Sequence, residues 1–136
     1  ELTIQPKKLS SGALTEPGRR VLLASVLKRE DAGTTGIGNG VALPHPKAPE
    51  DVRGHVTEPL VAVGISPQGI DFAAVDGARV HAVFLLAAAD STGYLAIARR
   101  VAALARDRRW PKLLRQCRTA NDIRELVEEA WSEVKG

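Results

Sequence analysis

The sequence predicts an α/β domain in which a mixed β-sheet is flanked by helices, and three observations support this fold class. Two apolar segments have the length of strands, namely residues 60–65 and 79–88. Apolar residues recur at helical spacing over residues 92–106 and again near the end of the chain. Asp76-Gly77 is a strong turn signal before the second strand, so we expect a hairpin and a sheet that is not wholly parallel.

The composition is that of an ordinary soluble globular protein with one domain. The chain has 136 residues, of which 44% are hydrophobic and 26% are charged, and this is enough for one sizeable core. Residues 1–17 combine Ser, Gly, Pro and Thr with scattered apolar positions, and we interpret them as a linker or N-terminal arm. The domain itself is expected over residues 18–136. Because the chain begins at Glu1 and contains no Met, we expect a fragment of a longer protein.

The first half of the domain combines one helix with a long irregular segment. Apolar residues between positions 18 and 29 predict a short, mostly buried helix, and Gly33 follows as its stop signal. A glycine-rich run then leads to His45. Residues 46–58 contain Pro46, Pro49 and Gly54, and Pro59 follows directly. We therefore expect an ordered loop with little regular structure over residues 46–58.

The second half alternates strands and turns before it becomes helical. After the strand at 60–65 we expect a turn at Ser66–Gly69 and a short strand at Phe72–Val75. The strand at 79–88 is apolar on both faces beyond Val83, which is typical of a central strand covered on both sides. Helices are then expected at three places, which are 92–106, Pro111 through Gln116, and a final amphipathic stripe that runs from Ile123 to Val134.

Charge, aromatic content and cysteine count restrict the classes of function. The net charge is +3, and the densest basic group, between Arg99 and Arg118, is typical of a solvated helical face, although docking of an acidic or phosphorylated partner there stays open. With 4% aromatic residues, a nucleic-acid surface is not supported. No apolar run approaches the ~20 residues of a membrane span. The lone Cys117 excludes an internal disulfide and fits a cytoplasmic protein, where we expect it to be packed and inert.

His45 is the first candidate for chemistry, because Pro44 and Pro46 hold it outside regular structure. Gly36, Gly38 and Gly40 lie just upstream and allow a tight turn or a close approach to a ligand. An imidazole beside exposed backbone N–H groups suits an anion or a phosphoryl group. The alternative is a histidine that only fills a proline turn.

Other polar residues are weaker candidates. The guanidinium of Arg29 suits phosphate oxygens, although an exposed cation at a helix end is the commoner fate. His81 lies in the central strand, where we expect a hydrogen-bonded histidine near the core, and His55 is expected to be solvated. We therefore expect no three-histidine metal site, and the glycine spacing does not match a nucleotide-binding motif.

Two segments of the chain form a recognisable pattern, namely residues 27–30 (Leu-Lys-Arg-Glu) and 34–45 (Thr-Thr-Gly-Ile-Gly-Asn-Gly-Val-Ala-Leu-Pro-His). This pattern resembles the IIA domains of the bacterial phosphotransferase system, of the fructose–mannitol and nitrogen-regulatory group. The resemblance continues through residues 70–77 and 80–86, and it covers roughly residues 20 to 134.

The resemblance implies the IIA mannitol/fructose-type fold and a histidine that accepts a phosphoryl group. His45 matches that phosphoacceptor, Arg29 matches the arginine beside it, and Thr35 with the three glycines would form a phosphate loop. The donor would be phosphorylated HPr or its nitrogen-branch homologue. The acceptor would be a IIB domain in transport members, whereas nitrogen-type members act on regulated target proteins. No metal or organic cofactor is implied.

Three positions depart from the family pattern. Tyr94-Leu95 stands where the family usually has His-Leu, so the customary second histidine is replaced by a hydroxyl that cannot become a cation at neutral pH. Ala73 replaces an aspartate in the family's Phe-Asp-Ala. The usual first helix is hard to find in residues 1–17.

We favour a nitrogen-regulatory IIA-like domain, since the second histidine is missing and the sequence of residues 35–40 is nearer to that type. One alternative is a sugar-transport IIA domain that passes its phosphoryl group to a IIB domain. The other is a IIA-fold module that is never phosphorylated and only binds a partner or an anion.

Overall fold

The computed structural model describes residues 2–4, 15–56, 59–107 and 109–133. The strands are β1 Leu2–Ile4, β2 Gly36–Gly38, β3 Val41–Ala42, β4 Leu60–Ile70 and β5 Val80–Ala87. The helices are α1 Glu16–Asp31, α2 Ser91–Ala105, α3 Trp110–Gln116 and α4 Ala120–Glu133, with a short 3-10 helix at Pro49–Val52.

The five strands form one mixed sheet in the order β1-β4-β5-β3-β2. Among the described strands, the β3–β5 pair is parallel, whereas β1–β4, β4–β5 and β2–β3 are antiparallel. The predicted fold class is therefore confirmed. β5 lies in the middle of the sheet, as its apolar sequence predicts.

Side chains of β5 alternate between two apolar clusters on opposite faces of the sheet. Phe84 and Leu86 are fully buried among residues of α2, α3 and α4. Ala87 and Leu85 contribute to a second cluster, which α1 and the 3-10 helix cover through Leu22 and other apolar residues. Full burial of a side chain such as Leu86 stabilises the fold by about 1.5–3 kcal/mol. The two clusters explain why this strand is apolar on both faces beyond Val83.

Helix α1 is longer than the predicted helix at residues 18–29. The Thr15 hydroxyl caps its start by accepting a hydrogen bond from the Gly18 amide at 3.2 Å, and Pro17 occupies the first turn. The helix ends at Asp31, so Arg29 lies in its last turn. An arginine there interacts favourably with the negative end of the helix dipole.

The connection between β4 and β5 differs from the prediction. The expected turn at Ser66–Gly69 is an irregular part of β4, in which Pro67 interrupts the pairing between Ile65 and Ile70. The expected strand at Phe72–Val75 is absent from the described structure, because Ala73 has a φ of 50° that no strand accommodates. The amide of Gly77 donates a hydrogen bond to Ala74 O at 2.9 Å and closes a turn. The turn predicted at Asp76-Gly77 is therefore confirmed.

The N-terminal arm predicted at residues 1–17 contains regular structure at both ends. β1 pairs with β4, with Leu2 opposite Val63, and α1 begins at Glu16. Residues 5–14 lie outside the described residues, and the division into an arm and a domain at residues 18–136 stays a prediction.

Two further expectations concern the helices. α2 and α3 match the predicted helices within one residue. α4 begins at Ala120, three residues before the predicted stripe, and Val134 lies outside the described residues. The basic group between Arg99 and Arg118 is not uniformly solvated, since the guanidinium carbon of Arg100 lies 4.4 Å from the centre of the Trp131 ring. None of the described helices is long and apolar enough to cross a membrane.

Candidate functional site

His45 lies just beyond the carboxyl end of β3, next to the end of the central strand. The carbonyl of Pro44 accepts a hydrogen bond from the Leu86 amide at 2.9 Å, so the chain stays beside β5 up to the histidine. Pro46 has no amide hydrogen and ends this pairing. The two prolines thus place a half-buried imidazole at the edge of the sheet, as the sequence predicts.

A backbone contact selects one nitrogen of the His45 ring. Nδ1 lies 2.9 Å from the carbonyl oxygen of Leu43. A carbonyl oxygen can only accept a hydrogen bond, so Nδ1 carries the proton in this arrangement and Nε2 keeps its lone pair. The available nucleophile of His45 is therefore Nε2.

Tyr94 packs against His45 from the first turn of α2. The centres of the two rings are 5.1 Å apart, and their planes are inclined by 41°. The Asp90 side chain caps this helix by accepting a hydrogen bond from Gly93 N at 2.7 Å. Burial raises the pKa of Tyr94, while the positive charge of Arg29 acts in the opposite direction, so the phenol is neutral at physiological pH. The tyrosine is thus a neutral neighbour of the imidazole.

Arg29 lies in the last turn of α1, and its positive charge acts on Tyr94. Its Nη1 donates to Gly33 O at 2.8 Å, which holds the guanidinium against the turn that follows the helix. Its charge acts on Tyr94, which in turn contacts His45. His45 and Tyr94, which are distant in sequence, therefore lie together in a half-buried place, and the charge of Arg29 acts on Tyr94 from the end of α1.

Glu30 organises the segment between Arg29 and His45, a role that sequence reasoning missed. Its carboxylate accepts hydrogen bonds from Thr35 N at 2.9 Å and from the Thr35 hydroxyl. The carbonyl of Thr35 then accepts from Leu43 N at 3.0 Å. Thr35 is buried, and its hydroxyl is engaged by Glu30. This threonine supports the backbone behind His45.

A second missed cluster holds the chain after His45. The buried Ser25 hydroxyl donates to Asp51 at 2.6 Å and accepts from Lys47 N at 2.9 Å. Lys47 is two residues beyond the histidine, so Ser25 ties the His45 segment to α1. A serine on the apolar face of a predicted helix was the signal that could have indicated this contact.

The glycines predicted as a phosphate loop do not gather around His45. Asn39 and Gly40, with φ of 57° and 76°, form the two-residue turn between β2 and β3. The Asn39 side chain bonds Ala105 O at 3.4 Å, at the carboxyl end of α2. Tyr94 is eleven residues earlier in that helix, or about 17 Å along its axis. Gly38 and Gly40 are thus near the opposite end of α2, because their left-handed backbone builds a hairpin.

Gly36 has a packing role instead. A Cβ atom at this position would lie 2.8 Å from the Cβ of Ala74, so β2 approaches the β4–β5 connection closely. The Thr34 hydroxyl donates to Phe72 O and accepts from Gly36 N at 2.9 Å, which reinforces the same contact.

The other sequence candidates lie elsewhere. His81 donates from Nδ1 to Ser66 O at 2.9 Å, which confirms a hydrogen-bonded histidine near the core. His55 was expected to be solvated, but it is half-buried and packs against Gly18 at the start of α1. Burial raises the pKa of the Cys117 thiol. Within the described ranges, no three side chains of His, Cys, Asp or Glu form a metal-binding group.

Comparisons with known proteins agree with the resemblance found in the sequence. Residues 7–130 match the family described as "phosphoenolpyruvate-dependent sugar phosphotransferase system, EIIA 2". A nitrogen regulatory protein of Bradyrhizobium diazoefficiens is 38% identical over 124 residues, which are 88% of this chain and 76% of that protein. The fructose-specific EIIABC component of Bacillus subtilis is 38% identical over 72 residues, which are 53% of this chain but only 11% of that protein.

The fold also matches a solved structure. This chain matches the complex of enzyme IIA mannitol and phosphorylated enzyme IIB mannitol from Escherichia coli with a TM-score of 0.69 at 19% sequence identity. The match covers 92% of this chain and 83% of that chain. This likeness shows the fold.

Proposed function

We propose that this chain, which belongs to the EIIA 2 family of the phosphoenolpyruvate-dependent sugar phosphotransferase system, accepts a phosphoryl group on His45. The observation that carries the proposal is the hydrogen bond from His45 Nδ1 to Leu43 O. It leaves Nε2 as a nucleophile at the edge of the sheet, where a second protein can approach.

The transfer needs no cofactor. The lone pair of His45 Nε2 attacks phosphorus in a donor phosphohistidine of the HPr type, the donor N–P bond breaks, and the donor ring recovers its lone pair. His45 keeps its Nδ1 proton, which Leu43 O stabilises. Such a reaction depends mainly on positioning and on charge stabilisation.

Charge stabilisation is assigned to Arg29 and Tyr94. A phosphoryl group carries about two negative charges, and a guanidinium is its natural partner. The Tyr94 hydroxyl can donate one hydrogen bond but adds no charge. The amino end of α2, where Tyr94 lies, adds the positive end of a helix dipole.

We assign the protein to the nitrogen-regulatory type, with a regulated target protein as its partner and the cytoplasm as its location. The nitrogen regulatory relative aligns along 88% of this chain, whereas the fructose-specific relative aligns along 53%. The sugar-transport alternative, in which a IIB domain receives the phosphoryl group, draws on that fructose-specific relative. Tyr94 favours the third alternative, a binding module that is never phosphorylated.

Intact mass after incubation with phosphoenolpyruvate, Enzyme I and HPr tests the proposal. We expect an acid-labile gain of one phosphoryl group that is lost in His45→Ala and kept in the matched variant His55→Ala. Phosphorus–nitrogen NMR correlations should place the group on Nε2. No gain with HPr or with its nitrogen-branch homologue would leave only the binding module.

The two phosphorylated alternatives are separated by the next step. After phosphorylation, the protein is mixed with a fructose-type or mannitol-type IIB domain, and the mass of each partner is followed. Rapid loss of the phosphoryl group to IIB would support sugar transport. Retention of the group in the presence of IIB is the result expected for the regulatory type.

A further inference from the structure

A series of hydrogen bonds links the last turn of α1 to the imidazole of His45. The Glu30 carboxylate accepts from Thr35 N at 2.9 Å and from the Thr35 hydroxyl. Leu43 N donates to Thr35 O at 3.0 Å, and Leu43 O lies 2.9 Å from Nδ1 of His45. The series therefore runs from Glu30 through Thr35 and Leu43 to the ring.

The turn after α1 brings the Glu30 side chain to Thr35. Gly33 N donates to Glu30 O at 3.1 Å, and Arg29 Nη1 donates to Gly33 O at 2.8 Å, so the chain doubles back at the helix end. Thr35 is only 5% exposed, and a buried donor without an acceptor is costly. Glu30 thus satisfies two polar groups of Thr35 that are largely shielded from water.

Leu43 connects this support to the histidine. Its amide is bonded to Thr35 O, on the side of Glu30. Its carbonyl precedes Pro44, which has no amide hydrogen, and this carbonyl meets Nδ1 of His45. The next carbonyl, that of Pro44, accepts from Leu86 N at 2.9 Å. The Leu43 carbonyl is therefore held in place from two sides, by Thr35 and by β5.

We propose that Glu30 is a positioning residue that keeps the proton of His45 on Nδ1 and thereby leaves Nε2 as the phosphoacceptor. It acts through Thr35 and Leu43, since both of its carboxylate oxygens are engaged by Thr35. If the Leu43 carbonyl turned away, the proton could move to Nε2, whose lone pair would then be unavailable for attack on phosphorus. The effect on phosphorylation rests on the proposed function, whereas the effect on the ring proton does not.

Nitrogen chemical shifts of the labelled His45 ring report the ratio of its two neutral tautomers without any phosphoryl donor. They are measured at about pH 8.5, well above the usual pKa of histidine, and assigned by comparison with His45→Ala. We expect the Nδ1–H form to predominate in the wild type. In Glu30→Ala the ratio should shift about two- to tenfold toward the Nε2–H form, because the hydrogen bond to Leu43 O is weakened.

Glu30→Gln should give a smaller shift of the same sign. The glutamine oxygen can still accept from Thr35 N, but its amide nitrogen cannot accept from the Thr35 hydroxyl. Asp31→Asn is the matched control, since it removes an exposed carboxylate from the next residue of the same helical turn. This control should leave the tautomer ratio unchanged.

Phosphorylation by phosphorylated HPr should follow the same order. We expect kcat to fall about 10–100-fold in Glu30→Ala, which is the usual cost of misplacing a reacting group. KM for phosphorylated HPr should stay at the wild-type value, because the loss concerns orientation of the imidazole and not binding of the donor. Asp31→Asn should keep the wild-type kcat.

A wild-type tautomer ratio in Glu30→Ala, or a loss of kcat no larger than in Asp31→Asn, would overturn the proposal. If Glu30→Ala does not fold, a wild-type ratio in Glu30→Gln would overturn it. Failure of the proposed function looks different. In that case neither HPr nor its nitrogen-branch homologue phosphorylates the wild type, and the tautomer ratios still decide the role of Glu30.

Discussion

Replacement of Gly36 by alanine tests whether this residue has a packing role or a phosphate-binding role. The new methyl group would lie 2.8 Å from the Cβ of Ala74, 3.1 Å from its Cα and 3.2 Å from the Thr34 hydroxyl oxygen. One of these neighbours is backbone, and the hydroxyl is engaged by Gly36 N and Phe72 O. A methyl group at residue 36 would therefore overpack the variant at this position.

Overpacking of this kind costs about 1–3 kcal/mol. For a chain of this length, that loss lowers the melting temperature by about 3–12 °C. The free energy of unfolding is measured by urea denaturation and the melting temperature by calorimetry. Below its melting temperature, Gly36→Ala should still be phosphorylated at the wild-type rate, because Gly36 does not contact phosphate in this interpretation.

Gly64→Ala is the matched control. Gly64 also lies in the sheet, but a Cβ there has no neighbour within 4 Å and its φ is not positive. Alanine should leave stability unchanged or raise it by up to about 1 kcal/mol. The double variant Gly36→Ala/Ala74→Gly lacks the methyl group of Ala74. Its loss of unfolding free energy should be smaller than the sum of the two single losses by at least about 0.5 kcal/mol. If Gly36→Ala is as stable as Gly64→Ala, the packing argument is refuted.

Three further predictions concern loops and the site. Ala73→Gly should raise the free energy of unfolding by about 0.5–1 kcal/mol, since φ of 50° strains alanine but not glycine; Ala78→Gly, without positive φ, should lower it. Hydrogen bonds from the amides of Ala78 and Asn39 hold the pKa of Asp76 below its usual 3.8. The stability that this carboxylate contributes is therefore present above that pH, and it is lost as the pH falls through the lower pKa of the folded state. Urea denaturation at about pH 6 and about pH 3 should therefore show a smaller acid loss in Asp76→Asn than in the wild type. Tyr94→His should speed phosphorylation of His45 about tenfold by adding a potential cation.

Each of these predictions has an outcome that contradicts it. Equal destabilisation by both alanine-to-glycine changes would mean that the backbone at residue 73 is not strained. A wild-type acid loss in Asp76→Asn would remove this carboxylate from the pH dependence. An unchanged rate in Tyr94→His would show that the tyrosine does not limit the chemistry.

Some interpretations of the site needed only neighbouring residues. Pro44 and Pro46 restrict the backbone around His45 wherever the chain is folded, so its irregular, accessible place was predictable. The apolar run at residues 79–88 likewise predicted a central strand. By contrast, Gly38 and Gly40 belong to a hairpin turn whose contacts their sequence did not indicate, since glycine permits positive φ without saying what the resulting turn contacts.

Local sequence patterns were enough to predict the mixed α/β fold, most helices and strands, and the histidine most suited to carry a phosphoryl group. These features depend on periodicity and on local backbone restrictions, which act over a few residues. The folded chain was needed to show that Leu43 leaves Nε2 of His45 free, that Tyr94 packs against His45, and that Ser25 holds the chain that follows it. Such contacts join residues far apart in the chain, so they depend on how the two helical layers and the connection after β4 pack on the sheet.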